Sequence, residues 1–296
     1  MTSAPINGFS VDVEDWYQVA DFFAVLPFAD WDKYESRVMR NTETVLQLMQ
    51  DAGDVKGTFF ILTWNAERHP EIVRRIAAAG HEIASHGYAH RLIYEQTPEE
   101  FRDDVTRAKR ILEDITGTAV LGYRAPSFSI TQRSLWALDV LLDAGYRYDS
   151  SVFPVKDALY GLPDAQRFPW VIRERDGRQL LEVPLTTTPF LGRNLPLGGG
   201  GYLRVFPYQY MRWGMRRVNR REQQPAIVYL HPWEVDPGQP RIETAGKRGF
   251  STHYVNLGRT APRIRRLLRD FRFAPIRDVV GLSGLAGLQA AAAQRS

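Results

Sequence analysis

Short apolar segments alternate with amphipathic segments along most of the chain, a pattern typical of strands joined by helices. This order favours an α/β protein built on a parallel sheet or barrel. Seven strands are predicted, at Gly8–Asp12, Thr58–Thr63, Glu82–Ser85, Ala119–Tyr123, Tyr146–Asp149, Leu180–Pro184 and Ala226–Leu230.

Helix signals lie between and after these strands. Thr97 and Glu100 form the capping box of a helix that runs to about Ile115, with Pro98 in its first position and Gly117 as its stop. The last two predicted helices are rich in arginine. Their arginines lie opposite the apolar side chains, which is the ordinary pattern of a helix that packs on a core and exposes a basic face to solvent. The other predicted helices are Ser36–Ala52, Pro70–Ala79, Thr131–Ala144, Tyr208–Arg221 and Pro262–Phe271.

The pattern predicts one main domain over residues 1–235, followed by a C-terminal extension over 236–281 that packs on it. Residues 282–296 are small and are expected to be a disordered tail. The glycine run Gly198–Gly201 is predicted to be a flexible loop, and Pro232–Phe250 a long loop rich in proline and glycine.

Composition excludes several classes of function. The chain has 296 residues and no cysteine, so any metal ion must be held by histidine, aspartate or glutamate. The formal charge of +4 is mild for this length and gives no reason to expect a nucleic-acid partner. Because no leader pattern and no run of ~20 apolar residues is found, we expect a cytoplasmic protein without a transmembrane segment. Peripheral membrane contact and the oligomeric state stay open.

Polar side chains follow five of the predicted strands at the point where each strand ends. The carboxyl ends of parallel strands meet on one face of a β/α barrel, which is its catalytic face. We therefore expect these side chains to lie close together. They are Asp12, Glu14 and Asp15 after the first strand, His86 and His90 after the third, Arg124 after the fourth, Asp149 at the end of the fifth and His231 after the last.

His86 and His90 are four residues apart, so that on a helical turn both imidazoles would share one face and could bind one metal ion. A carboxylate after the first strand would complete a two-histidine, one-carboxylate set, which leaves positions open for water and substrate. Asp12 and Glu14 share one face of the strand because side chains alternate. The alternatives are a pair of surface histidines and a solvated acidic turn.

These clusters, in this order, resemble the polysaccharide deacetylases of carbohydrate esterase family four, the NodB-homology type. The resemblance covers roughly residues 6–235 and implies a distorted (β/α)7 barrel. Two segments, Asp12-Val-Glu-Asp-Trp-Tyr and His231-Pro-Trp-Glu, resemble a subgroup encoded with bacterial exopolysaccharide and exosortase systems, in which an extension follows the barrel. The matching motifs are Asp12–Asp15, His86 to His90, Arg124-Ala125-Pro126, Asp149-Ser150-Ser151 and Leu230-His231.

The resemblance implies a metal-dependent hydrolase that removes N-acetyl groups from amino sugars of an exopolysaccharide or its precursor. The family's usual first motif is Asp-Asp, whereas here Val13 and Glu14 separate Asp12 from Asp15. The carboxylate that binds the metal is then Glu14 or Asp15, and side-chain alternation favours Glu14. By resemblance, zinc is held by this carboxylate with His86 and His90, Asp12 is the base, His231 is the acid, Asp149 orients His231, and Arg124 positions Asp12.

Four residues beside the motifs, Trp16, Tyr17, Pro126 and Trp233, are candidates for contact with an N-acetylated glycan substrate. Two alternatives stay open. The altered first motif leaves room for a related hydrolase of a small amide or imide. A non-catalytic glycan-binding protein on the same fold is the other, although ionisable residues at all five motifs argue against it.

Overall fold

A curled sheet of mostly parallel strands forms the centre of the protein. The structure is a computed structural model that describes residues 4–157, 160–242 and 253–284. Its strands are β1 (Asn7–Val13), β2 (Thr58–Ile61), β3 (Glu82–Ser85), β4 (Gly122–Tyr123), β5 (Tyr148–Asp149), β6 (Trp170–Arg175), β7 (Arg178–Glu182), β8 (Thr187–Phe190), β9 (Arg193–Pro196), β10 (Ile227–Leu230) and β11 (Phe273–Ala274).

The strand order of the main sheet is β10-β1-β2-β3-β4-β5-β7, and neighbours along this path are parallel. Strand β6 is antiparallel at the outer side of β7, β11 pairs with the start of β1, and β8–β9 form a separate hairpin. The curled sheet confirms the predicted distorted barrel, and each of the seven parallel strands overlaps a predicted one.

Helices cover the outer face of the sheet, where apolar side chains of both layers form the larger core cluster. Helix α4 has the predicted capping box, since Thr97 Oγ1 accepts from Glu100 N at 3.2 Å and Glu100 Oε2 accepts from Thr97 N at 2.9 Å. The helices are α1 (Val38–Asp51), α2 (Thr63–Arg68), α3 (Pro70–Ala78), α4 (Pro98–Thr116), α5 (Ala137–Asp143), α6 (Gly201–Val205), α7 (Tyr208–Arg221), α8 (Leu257–Asp270) and α9 (Ile276–Val279).

Two predicted helix starts are wrong. Helix α5 begins at Ala137 rather than Thr131, because Ser134 Oγ accepts from Thr131 N and donates to the Ser129 carbonyl, both at 2.9 Å. These local bonds give the backbone an alternative to the helix. Helix α8 starts before the predicted Pro262, which lies inside it.

Two hairpins close on turns with positive φ angles. Asp176 and Gly177 join β6 to β7, and Leu191 and Gly192 join β8 to β9. Such two-residue turns match the twist of antiparallel strands. The sequence analysis missed β6, β8 and β9 because they lack a clear apolar pattern. No side chain of β6 or β9 is fully buried, and the two buried side chains of β8 are threonines.

The glycine run Gly198–Gly201 is packed against β10 and is not the free loop that was predicted. Tyr229 N donates to the Gly198 carbonyl at 2.6 Å, and Gly200 N donates to the Tyr229 carbonyl at 3.0 Å. A Cβ atom on Gly199 would lie 1.9 Å from the Tyr229 carbonyl oxygen, and its φ is +115°. Glycine is therefore required for this close approach, which fastens the strand that leads to His231.

The C-terminal part packs on the barrel through α8 and α9, and Ile276 N donates to Thr58 Oγ1 of β2 at 2.7 Å. Residues 243–252 of the predicted long loop and 285–296 of the predicted tail lie outside the described residues. Among the helices that the structure describes, none is both long enough and apolar enough to cross a membrane.

Candidate active site

A pocket opens where the carboxyl ends of β1, β3 and β10 come together. Its volume is about 170 Å³, below the ~300–1,000 Å³ of sites that enclose drug-sized ligands. The pocket is therefore suited to a small group of a larger molecule. Of the predicted site residues, Asp12, Glu14, His86, His90, His231 and Trp233 line it.

Glu14, His86 and His90 form a buried three-residue cluster at the base of this pocket. Glu14 Oε1 lies 2.8 Å from His86 Nε2 and 3.0 Å from His90 Nε2. Each residue offers one ligand atom, and the three atoms lie within 4.8 Å of one another. The structure thus brings together a two-histidine, one-carboxylate set with the donor atoms that zinc and similar metals use.

The hydrogen bonding of His86 fits a metal ligand. Its Nδ1 lies 2.7 Å from the carbonyl oxygen of Arg124, which only accepts, so Nδ1 carries the proton. In the neutral ring, Nε2 then directs a lone pair at a carboxylate oxygen of Glu14, a repulsive contact that either a proton or a metal ion between the two atoms relieves. A backbone carbonyl that fixes the tautomer in this way is the usual support of a metal-binding histidine.

An irregular loop, rather than the predicted helical turn, brings the two histidines together. Gly87 and His90 both have positive φ angles, +72° and +54°. A Cβ atom on Gly87 would also lie 2.9 Å from Asp104 Oδ1, so glycine suits both the backbone conformation and the packing. The predicted helical turn between the two histidines is therefore wrong. Their imidazole rings nevertheless lie next to each other, with centroids 5.5 Å apart.

Asp15, the alternative metal carboxylate, points away from the histidines and is saturated with hydrogen bonds. Burial raises its pKa, and the surrounding donors lower it in part. It fastens the start of α1 to the end of β1, so the structure favours Glu14 as the metal carboxylate. The donors to Asp15 are the backbone N–H groups of Trp16, Arg37 and Val38 and the hydroxyl of Ser36, at 2.7–3.0 Å.

Asp12 is held by Arg124, as the resemblance implied. Arg124 Nη1 donates to Asp12 Oδ1 at 2.6 Å and to Ser10 Oγ at 2.8 Å, and Nη2 donates to Ser150 Oγ at 2.9 Å. Both side chains of the ion pair are buried. Among the described residues, none donates to Asp12 Oδ2, which leaves this oxygen available to a molecule in the pocket.

His231 is oriented by Glu234, not by Asp149. Its Nδ1 lies 2.8 Å from Glu234 Oε1, whose second oxygen accepts from Arg204 Nε at 2.6 Å. Burial alone would lower the pKa of His231, but the neighbouring carboxylates Glu14 and Glu234 raise it to about 9, which favours the protonated ring. The His231-Pro-Trp-Glu segment thus contains both the histidine and its partner, a role for Glu234 that the sequence analysis missed.

Asp149 is paired instead with Glu182, its neighbour across the parallel strands β5 and β7. Both side chains are fully buried, and burial raises the pKa of both carboxyl groups, that of Asp149 to about 6. Two neighbouring carboxyl groups satisfy each other when one of them is protonated. This geometry does not support the predicted role of Asp149 beside His231. The Asp149–Glu182 pair lies near Arg124 instead.

Of the three aromatic residues predicted to contact substrate, one lines the pocket and two do not. Trp16 and Tyr17 are buried in an aromatic cluster with Trp31 and Trp64 and do not line the pocket. Their predicted contact with substrate does not agree with this placement. Trp233 does line the pocket, with its ring stacked 5.1 Å from that of His231.

Pro126 is buried next to the pocket, whereas the two residues that follow it form part of the wall. Ser127 and Phe128 have positive φ angles of +51° and +53°, a strained conformation for residues other than glycine. Tyr160 and Tyr229 complete the aromatic side of the wall. The sequence analysis missed these four residues because nothing in their spacing marks them, apart from their nearness to motifs.

Comparisons with known proteins agree with this geometry. Residues 25–148 match the family model described as polysaccharide deacetylase, and residues 150–281 match a domain of unknown function, DUF3473. The peptidoglycan-N-acetylglucosamine deacetylase of Bacillus cereus is 38% identical over 87 residues, which are 29% of this chain and 32% of that protein. The chain spans about a third of the length of the curated relatives it matches.

Solved structures share the fold over nearly the whole chain. A protein of Pseudomonas aeruginosa, proposed to be a polysaccharide deacetylase, aligns with a TM-score of 0.62 and 16% identity over 93% of this chain and 90% of that one. A Mycobacterium smegmatis protein with the same proposed assignment aligns with a TM-score of 0.59 and 21% identity over 94% and 93%. The matched segments and the shared fold show that the chain contains a polysaccharide deacetylase domain of the NodB-homology type, followed by DUF3473.

Proposed function

We propose that the protein is a metal-dependent hydrolase that removes N-acetyl groups from amino sugars of a bacterial exopolysaccharide or its precursor. The observation that carries this proposal is the Glu14–His86–His90 cluster with Asp12 and His231 on the same small pocket. Membership of the deacetylase family supports the same chemistry. The size of the pocket fits an acetamido group of a longer glycan.

Zinc is the metal we propose, held by Glu14, His86 and His90, because two imidazoles and one carboxylate are typical ligands of catalytic zinc. A divalent ion in this cluster would polarise the acetyl carbonyl and lower the pKa of a water molecule. Burial alone would raise the pKa of Glu14, but its histidine neighbours lower it well below the usual value. Glu14 is therefore ionised, as a metal ligand must be.

Asp12 and His231 then divide the proton transfers. Asp12 Oδ2 accepts the proton of the attacking water, while Arg124 fixes the other oxygen of this carboxylate. The protonated His231 donates its Nε2 proton to the departing sugar nitrogen as the C–N bond breaks. Glu234 holds the ring in place through Nδ1. The products are acetate and a free amino sugar.

The negative oxygen of the tetrahedral intermediate needs a hydrogen-bond donor as well. The backbone N–H of Ser127, at the pocket wall, donates to no other group among the described residues. We propose it as the donor to this oxygen.

The experiment that tests the proposed function is acetate release from N-acetylglucosamine oligomers. The full chain is assayed as isolated, after chelation, and after zinc is added back. We expect release that chelation abolishes and zinc restores. Hydrolysis of small cyclic amides without release from any acetylated glycan would contradict the proposal and favour the small-amide hydrolase. Metal binding without any hydrolysis would favour the glycan-binding protein.

Glu234→Gln is expected to lower kcat for acetate release by about 10- to 100-fold, less than the ~10²–10⁴-fold that loss of the acid itself costs. The reason is that a neutral amide has one acceptor oxygen, which cannot hold both Arg204 and a charged His231. KM and zinc content should stay unchanged, which separates positioning of His231 from loss of the fold. Glu222→Gln, which removes a carboxylate paired with Arg167 at a distance from the pocket, is the control. An unchanged kcat in Glu234→Gln would remove Glu234 from this role.

We retain the division into a barrel over 1–235 and an extension over 236–281 as a proposal, supported by β10 and His231 at the end of the first part. The cytoplasmic location also stays a prediction. Detection of the native protein in a periplasmic or extracellular fraction would contradict it.

A further inference from the structure

A row of aromatic rings leads from the pocket to the outside of the protein. It starts at Tyr160 in the pocket wall, whose hydroxyl lies 2.7 Å from that of Tyr202. Tyr202 stacks on Phe206 with ring centroids 6.1 Å apart, and Phe206 contacts Tyr210 at 4.9 Å. Tyr210 contacts Trp213 at 6.3 Å. Five rings thus follow one another without a gap from the pocket along α6 and α7.

Four of these rings come from two successive helices and the break between them. Helix α6 ends at Val205, Phe206 is extended, and α7 begins at Tyr208. Tyr210 and Trp213, three residues apart, lie on the same face of α7. The opposite side of α7 packs into the core through Met211, Met215 and Val218. Trp213, which is not part of this core cluster, is therefore not needed to bury the helix.

The rings remain partly open to solvent although they are large and apolar. Phe206 is 36% and Trp213 44% exposed. Tyr210 is fixed by its hydroxyl, which donates to the Pro196 carbonyl at 2.9 Å. Fixed rings of this kind offer apolar contact area at little cost in conformational entropy. A contiguous exposed apolar surface commonly marks a binding site.

The pocket gives a reason for such a surface. At about 170 Å³ it can take the reacting group of a glycan, so the rest of the chain must lie outside it. Pyranose rings present apolar C–H faces that pack on aromatic rings, while their hydroxyl groups stay in water. A row of rings that begins in the pocket wall suits a linear chain of sugars better than a broad membrane surface.

The far end of the row is basic. Trp213 borders a shallow hollow of about 380 Å³ whose other lining residues are mostly arginines of α7. Arg217 lies 5.9 Å over the Trp213 ring and pairs with Glu222. Within the described part of the chain, Arg216 and Arg220 have no carboxylate partner. Such unpaired guanidinium groups suit carboxylate or phosphate groups on the ligand.

We propose that this aromatic row and the arginines at its end bind the outer part of an acidic N-acetylated polysaccharide whose reacting sugar occupies the pocket. The inference rests on the proposed function only for the identity of the sugar in the pocket. Binding along the row can be measured separately from hydrolysis.

The test is calorimetric binding of two probes to the zinc-loaded full chain with Asp12→Asn, which slows turnover during the titration. The probes are the N-acetylglucosamine hexasaccharide and the hyaluronan hexasaccharide, in which glucuronate alternates with N-acetylglucosamine. We expect tighter binding of hyaluronan. Trp213→Ala should weaken both probes about fivefold to tenfold. Arg216→Gln with Arg220→Gln should remove only the advantage of hyaluronan. Phe206→Ala repeats the aromatic test at a second exposed ring.

Two control variants lie outside the row. Phe190→Ala removes an exposed aromatic ring of the β8–β9 hairpin, and Arg74→Gln removes an exposed arginine of α3. Both should bind the two probes like the parent. Unchanged affinity in Trp213→Ala and Phe206→Ala, or no measurable binding of either probe, would overturn the inference. So would loss of binding to phosphatidylglycerol vesicles in Trp213→Ala with glycan affinity retained, which would show a membrane surface.

The outcomes also separate this inference from the proposed function. One outcome is glycan binding that depends on Trp213 in a protein that, without the Asp12→Asn change, releases no acetate from any glycan. This outcome would refute the proposed deacetylase activity but not the proposed binding along the aromatic row. Acetate release together with unchanged glycan affinity in Trp213→Ala would refute the proposed binding along the aromatic row but not the proposed deacetylase activity.

Discussion

Glu14→Gln is expected to weaken zinc binding by more than about 100-fold and to reduce acetate release to background. Glu14 Oε1 is the atom that both histidines face, at 2.8 and 3.0 Å, so the neutral amide removes the one anionic ligand of the cluster. Changes to groups that merely support a ligand already cost about 10- to 100-fold. Zinc content after dialysis and acetate release, both measured on the full chain, check the prediction.

Asp15→Asn is the matched control, since it makes the same chemical change one residue away. It should keep zinc affinity but lower the free energy of unfolding by about 1–3 kcal/mol, because the amide cannot accept all the hydrogen bonds that converge on the carboxylate. The reverse result, with zinc lost in Asp15→Asn and kept in Glu14→Gln, would show that the metal set is wrongly assigned.

Asp12→Asn should lower kcat by about 10²–10⁴-fold, the usual cost of losing a general base. The asparagine side chain can still accept the hydrogen bond from Arg124, so the surrounding network is retained while the basic oxygen is lost. Zinc content should therefore stay close to that of the parent, whereas the melting temperature should fall, because Arg124 loses the charge of its buried partner. Asp103→Asn, a change to an exposed carboxylate of α4, should leave kcat unchanged.

A near-normal kcat in Asp12→Asn would remove Asp12 as the base. Loss of zinc in the same variant would instead indicate that Asp12 belongs to the metal set. Because kcat and zinc content are measured on one preparation, the two failures are distinguishable.

The convergence of the site could be predicted from the chain alone. Each motif follows a short apolar run, and parallel strands place their carboxyl ends at one edge, so Asp12, His86 and His231 had to meet. Side-chain alternation also put Asp12 and Glu14 on the same pocket, where the structure places them. These inferences need only the direction of the strands and the alternation of side chains between the two faces of a strand.

Contacts that depend on where a chain turns after its strand could not be predicted. His231 contacts Glu234, three residues later, because a short 3-10 segment turns the chain back toward the imidazole ring. Asp149 contacts Glu182 because the register between β5 and β7 places them side by side. The sequence also gives no way to tell a buried aromatic from one at the pocket rim. Trp16, next to the first motif, is buried, whereas the distant Tyr160 lines the pocket.

The most direct test of the account is a zinc titration of the chelated full chain, with the rate of acetate release from N-acetylglucosamine oligomers as the readout. One buried cluster of three ligands predicts a rate that rises linearly with zinc and stops rising at one zinc ion per chain. A full rate in the chelated protein before any zinc is added would contradict the central claim that the Glu14–His86–His90 cluster serves a metal-dependent deacetylase.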